Sequence, residues 1–112
     1  MENPIGSVRA DDGTVIVTVR GEIDFSNADE ITRGIRHAVS DWSPETVQLD
    51  VKEATFIDST GLGALIEGYR AAAARDCSLV VVNPSASFRR VLVVTGLSDL
   101  FGLAEEPDDV AI

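Results

Sequence analysis

The apolar positions of this chain change period several times, and each change marks an element. Asp11-Asp12-Gly13 lies between two short apolar segments, and Asp-Gly supplies the positive backbone angles of a tight hairpin turn. Antiparallel strands are predicted over residues 5 to 10 and 14 to 20, the second dense in branched side chains and ended by Gly21. From Ala28 the apolar positions Ile31, Ile35, Ala38, Val39 and Trp42 recur at spacings of three and four, the stripe of an amphipathic helix that Ser26 or Asn27 can cap and Pro44 closes. Val47, Leu49 and Val51 then alternate with Gln48, Asp50 and Lys52 as a strand with one wetter face.

Helical spacing returns at Leu62, Leu65, Ile66, Tyr69 and Ala73, followed by Leu79-Val80-Val81-Val82, an unbroken run of the kind buried on both faces of a sheet. Asn83-Pro84-Ser85 offers a cap and a first-turn proline for a helix carrying Phe88, Val91 and Leu92; Gly96 and Leu97 are placed to close it in a Schellman-type end on Leu92. Residues 98–103 add a short edge strand in this reading, and the acidic tail a last helical turn. No repeat, linker or low-complexity stretch divides residues 1–112, so one domain is expected.

The order strand, strand, helix, strand, helix, strand, helix implies an α/β fold with a mixed sheet of four to five strands, because each helical connection suits a right-handed parallel crossover. In such sheets, ligands and modifications gather beyond the carboxyl ends of the parallel strands. The segments leaving strands two, three and four carry Asp24, Asp58-Ser59 and Asn83-Pro84-Ser85, so three polar loops are expected to meet at one edge.

Composition narrows the function classes. With 45% apolar and 25% charged residues, the chain is an ordinary globular sequence. No apolar run approaches the roughly 18 residues of a membrane span, and no export signal is legible at the N-terminus. The single cysteine, Cys77, forms no internal disulfide and reads as a small hydrophobe, which points to the cytoplasm. A net charge of -10 repels nucleic acid and anionic lipid and favours basic protein surfaces.

In Thr55-Phe56-Ile57-Asp58-Ser59-Thr60-Gly61-Leu62-Gly63, two buried-type residues lead to an acid, two hydroxyls and a helix with glycines in its first turns. A glycine inside a helix costs about 0.5–1 kcal/mol relative to alanine, so Gly61 and Gly63 need a reason. Two remain open on the residues alone. Asp58 or Ser59 is a plain N-cap, with glycines that allow close packing. Alternatively, this helix start accepts a phosphate on a hydroxyl, and the missing side chains let a partner come close.

Gly21-Glu22-Ile23-Asp24 with Ser26-Asn27-Ala28, the run Phe56 to Gly63, and Arg89-Arg90-Val91-Leu92 through Thr95-Gly96-Leu97 and Leu100-Phe101 resemble, in order, three blocks of the anti-sigma factor antagonist family, the free-standing STAS domains of bacterial stress and sporulation control. The resemblance implies a non-enzymatic partner-switching regulator of transcription. Ser59 would be phosphorylated by an anti-sigma factor that is also an ATP-dependent serine kinase, and a metal-dependent serine phosphatase would restore it. The unphosphorylated form would bind the anti-sigma factor and release a sigma factor. The resemblance places Asp24 beside Ser59 and gives partner or kinase contacts to Asp24, Asp58, Thr60, Gly61, Leu62 and Gly63. Asp76-Cys77 departs from the paired glycines many members have before the fourth strand.

The alternative is a STAS module that docks in a transporter or stress complex with a hydroxyl that is never phosphorylated. Enzyme classes fit poorly: there is no Gly-Lys-Ser or Gly-Lys-Thr phosphate loop, and Lys52, the only lysine, stands in the wrong place for a receiver domain. His37, with no second histidine, reads as solvent-facing, so no metal site and no cofactor are expected. Trp42 reads as a core or rim anchor, and Arg89 and Arg90 as solvated charge, or one of them as a contact to a kinase or the phosphoserine.

Overall fold

The computed structural model describes residues 5–103, the side chains of residues 6–11 excepted. Four strands form one sheet in the order β1-β2-β3-β4. β1 (Ile5–Asp11) and β2 (Thr14–Ile23) are antiparallel; β3 (Thr46–Ile57) and β4 (Ser78–Val82) run parallel to β2. Helices α1 (Ala28–Trp42), α2 (Ser59–Ala73) and α3 (Ala86–Val94) complete the fold. Asp12 and Gly13 both take positive φ, 48° and 81°, so the hairpin turn has the geometry that Asp-Gly favours.

One face of the sheet is dry. Val15, Val17, Val19, Val47, Leu49, Val51, Leu79 and Val81 are buried and meet Ile31, Ile35 and Leu65 from α1 and α2. Each such side chain contributes about 1.5–3 kcal/mol by leaving water. Gly68 lets the two helices close up, because a Cβ there would stand 2.6 Å from Ile35 Cδ1. Val80 and Val82 remain half-exposed, so the apolar run of β4 is buried on one face and not on both. Ala73, expected in the α2 stripe, is exposed.

Several boundaries differ from the sequence expectation. β2 does not stop at Gly21: the glycine takes φ 78° within a register shift, and the strand resumes to pair Ile23 with Ile57. Ser85, not Asn83, caps α3, accepting from the Phe88 N–H at 3.1 Å, and Pro84 precedes the cap. Leu97 N–H donates to the Leu92 carbonyl at 2.8 Å past Gly96 at φ 77°, the expected Schellman end. Residues 98–103 form turns rather than a fifth strand. Leu103 N–H closes back onto the Ser98 carbonyl at 3.0 Å, Gly102 has φ 69°, and only one bond, Val81 N–H to the Phe101 carbonyl, reaches β4. The acidic tail, expected to add a helical turn, lies outside the described residues.

β4 is short. Its last residue, Val82, pairs with Asp50, whereas β3 runs on to Ile57. Asp50 closes the ladder there, its Oδ1 accepting from the Lys52 N–H at 3.0 Å and from Asn83 Nδ2 at 3.3 Å.

Candidate functional site

Two of the three polar loops meet. The strands they leave end as a pair, Ile23 with Ile57, and the Asp58 N–H donates to the Ile23 carbonyl at 3.1 Å. The Asn83-Pro84-Ser85 loop does not join them, because β4 ends level with Asp50 and Asn83 is bonded there. The edge is therefore built from Asp24–Asn27 and Asp58–Gly63, and α3 brings Ser87 and Phe88 up to Thr55–Ile57.

Asp58 is the N-cap of α2. Its backbone is extended, its Oδ1 accepts from the Gly61 N–H at 2.8 Å, and its carbonyl accepts from the Leu62 N–H at 2.9 Å. The plain cap of the sequence reading is thus present, and it falls on Asp58 alone. Ser59 is left free for other work: it is exposed at the first helical position, and among the described residues no hydrogen bond engages its hydroxyl or that of Thr60. The first helical N–H groups have no intrahelical carbonyl to meet, so the positive end of the helix dipole faces outward beside Ser59.

The glycines separate into two roles. Gly61 is buried, and a Cβ on it would stand 2.6 Å from the Ile23 carbonyl oxygen and 2.9 Å from Ile57 Cγ1. It is the packing glycine that seats α2 against the ends of β2 and β3. Gly63 has nothing within 4 Å of a Cβ, so the fold asks nothing of it. Leu62 is half-buried against the core, which leaves Ser59 and Thr60 as the exposed members of the segment and Asp58 half-exposed.

Asp24 is fixed by its own turn. Its Oδ1 accepts from the Ser26 N–H at 3.0 Å and from Ser26 Oγ at 2.6 Å. Asn27 occupies the N-cap position of α1 without making a side-chain cap; its amide oxygen accepts from the Asp24 N–H and its amide nitrogen donates to the Glu22 carbonyl. Asn27 is therefore the residue that ties the turn to β2, a role its sequence position did not disclose.

Two aromatic residues at this edge were also missed. Phe56, which reads as buried, is 54% exposed, and Phe25 is 79% exposed. Elsewhere, Trp42 is a rim residue at 54% exposure, at the far end of α1, and His37 is exposed on the same helix. No group of three or more His, Cys, Asp or Glu that could hold a metal occurs among the described residues, and none of their helices is long and apolar enough to cross a membrane.

Fold and site together define a small α/β domain whose chemistry-bearing groups gather at one loop edge, around a capped helix start with an exposed hydroxyl. The STAS domain family model matches residues 7–110, and the chain belongs to that family. It is 29% identical over 85 residues to the anti-sigma-B factor antagonist of Listeria monocytogenes, covering 75% of this chain and 73% of that protein. The crystal structure of an anti-sigma factor antagonist from Mycobacterium paratuberculosis superposes with a TM-score of 0.76 at 31% identity, covering 94% of this chain and 88% of that one. The Bacillus cell fate determinant SpoIIAA in its phosphorylated form shares the fold at a TM-score of 0.65 and 24% identity, over 94% of this chain and 96% of that one.

Proposed function

We propose that this chain is an anti-sigma factor antagonist that works by partner switching, with Ser59 as the residue that accepts the phosphate. Unphosphorylated, it binds an anti-sigma factor that is also a serine kinase and so releases a sigma factor; phosphorylation ends the complex, and a serine phosphatase restores it. The domain itself is the regulated partner and performs no catalysis.

The observation that carries this reading is the division of labour at the start of α2. Asp58 supplies the whole cap, so the Ser59 hydroxyl is exposed and unengaged among the described residues. A hydroxyl needed for the cap could not be modified without loosening the helix; this one can. The names of the Listeria and Mycobacterium relatives support the same assignment, and the phosphorylated form of a protein with this fold supports the modification. Phosphate would bring about -1.5 to -2 charges to an edge that already holds Asp24 and Asp58. A dianion in an interface must also lose its water, which opposes docking without any change of fold.

The test is incubation with ATP and each anti-sigma kinase of the same genome, followed by intact mass and site mapping. One added phosphate, lost in Ser59→Ala and kept in Thr60→Ala, is the expected result. Modification at another residue, or none by any kinase, overturns the assignment. Ser59→Asp is expected to weaken the complex with an unchanged far-UV spectrum.

A further inference from the structure

Phe25 and Phe56 stand in water on the two segments that flank Ser59, at 79% and 54% exposure. An exposed phenylalanine forgoes the gain of burial, and here two of them sit on segments joined by the Asp58–Ile23 bond. Beside Phe56, a cleft of about 190 Å³ opens between the end of β3 and α3, lined by Thr55, Phe56, Ile57, Ser87, Phe88 and Val91. The cleft follows from the topology: β4 ends at Val82, level with Asp50, so among the described residues no strand pairs with the outer edge of β3 beyond that point. An apolar cavity of roughly 150 Å³ holds a benzene-sized group, so this cleft has room for one apolar side chain.

Charge identifies the occupant. From Gly21 to Thr32 and from Glu53 to Tyr69, the segments that build this edge carry seven carboxylates and not one lysine, arginine or histidine. Cations bound both segments, Arg20 and Arg33 the first and Lys52 and Arg70 the second, and α3 carries Arg89 and Arg90. A second copy of this chain, itself at -10, would be repelled from such an edge.

We propose that this edge docks a basic protein segment, whose arginine or lysine side chains face the carboxylates while one apolar side chain enters the cleft beside Phe56 and its surroundings cover Phe25. The inference rests on the reading of Ser59 above and adds the chemistry of the partner's surface. It also assigns separate work to charge and apolar contact. The carboxylates at the rim speed encounter in a salt-dependent way, and the aromatic anchors set the lifetime of the complex. Ser59 follows Phe56 by three residues, at the edge where the Asp58 N–H joins the end of β2 that leads to Phe25, so a phosphate there would have to be stripped of water beside an apolar contact, a cost that opposes its attraction to a basic partner.

The experiment measures association and dissociation rates of the full chain with each purified anti-sigma kinase of the same genome. The variants are Phe25→Ala, Phe56→Ala, Ser87→Trp (which fills the cleft from an exposed position), Ser59→Asp, and Trp42→Ala as an equally exposed aromatic at the other end of α1. Thermal melts confirm that each is folded. The expected result is about tenfold or greater weakening in each of the first three variants, through faster dissociation. Trp42→Ala should stay within about twofold, and wild-type association should slow steeply as salt rises. If Ser59→Asp abolishes a complex that the first three variants leave unchanged, the docking surface is wrong and the Ser59 reading stands. If those variants break a complex that Ser59→Asp leaves intact, the surface stands and the reading falls. Association indifferent to salt overturns the basic partner, and no complex with any kinase overturns both.

Discussion

The carbonyl oxygen of Ile23 occupies the space where a side chain on Gly61 would begin, 2.6 Å from the position of its Cβ. That oxygen also accepts the Asp58 N–H, so it cannot retreat without loosening the joint between β2 and α2. Gly61→Ala is expected to destabilise the fold by about 1–3 kcal/mol, the usual cost of overpacking. Gly63→Ala should do the reverse, gaining about 0.5–1 kcal/mol of helix propensity, because its Cβ meets nothing. Urea denaturation of the two variants should move the midpoint in opposite directions. Under the proposed function, the stabilised Gly63→Ala protein binds the anti-sigma factor less tightly, since the added methyl stands where a partner approaches.

Asp58 and Ser59 are neighbours with separable duties. Asp58→Ala removes the acceptor for the Gly61 N–H and should cost about 0.5–2 kcal/mol. Asp58→Asn keeps an equivalent cap and should lie close to wild type in stability. Ser59→Ala should stay within about 0.5 kcal/mol, as an exposed hydroxyl that no hydrogen bond engages among the described residues. Chemical denaturation of the three variants checks this ranking; a Ser59→Ala loss as large as that of Asp58→Ala would return the capping role to Ser59.

How much of this was legible in the sequence depended on how local the cause was. The hairpin at Asp12-Gly13, the stripes of α1 and α2, and the Schellman end at Gly96-Leu97 are decided by residues a few positions apart, and periodicity located them. The length of β2 past Gly21 and the turns of residues 98–103 were not legible, because each depends on a strand or helix elsewhere. The site divides in the same way. That Asp58 precedes a helix start is local. That Gly61 belongs to packing and Gly63 does not follows from where Ile23 lies. Phe56 reads as core from its neighbours; it is 54% exposed on the stretch of β3 past Asp50, the last residue to pair with β4, and that register is contained in no local pattern.

Cys77 links burial to pH. It is 5% exposed, and burial raises its thiol above the ordinary value of 9.0, partly offset by a backbone hydrogen bond with Val47. The unfolded chain therefore ionises first as pH rises, so the folded state holds more protons and loses stability with increasing pH. This contribution is fully present below about pH 9 and disappears as pH climbs through the raised folded value. The urea midpoint should fall between neutral pH and pH values above that point, and Cys77→Ala should lose less over the same interval. Equal slopes in the two proteins would show that the thiol plays no part.

Asn27 offers the most local test of the edge. Its side chain accepts from the Asp24 N–H at 2.9 Å and donates to the Glu22 carbonyl, closing the turn that carries Phe25. Its backbone serves α1 independently, with the Ile31 N–H donating to its carbonyl at 3.1 Å. Asn27→Ala removes two side-chain bonds, each worth about 0.5–1.5 kcal/mol, from a partly exposed turn and leaves the helix backbone its partner. Hydrogen exchange should report this selectively. The Asp24 amide is expected to lose protection in Asn27→Ala, while the Asp58 amide, bonded to the Ile23 carbonyl, keeps it. Loss at both positions would mean that Asn27 supports the strand joint as well as the turn.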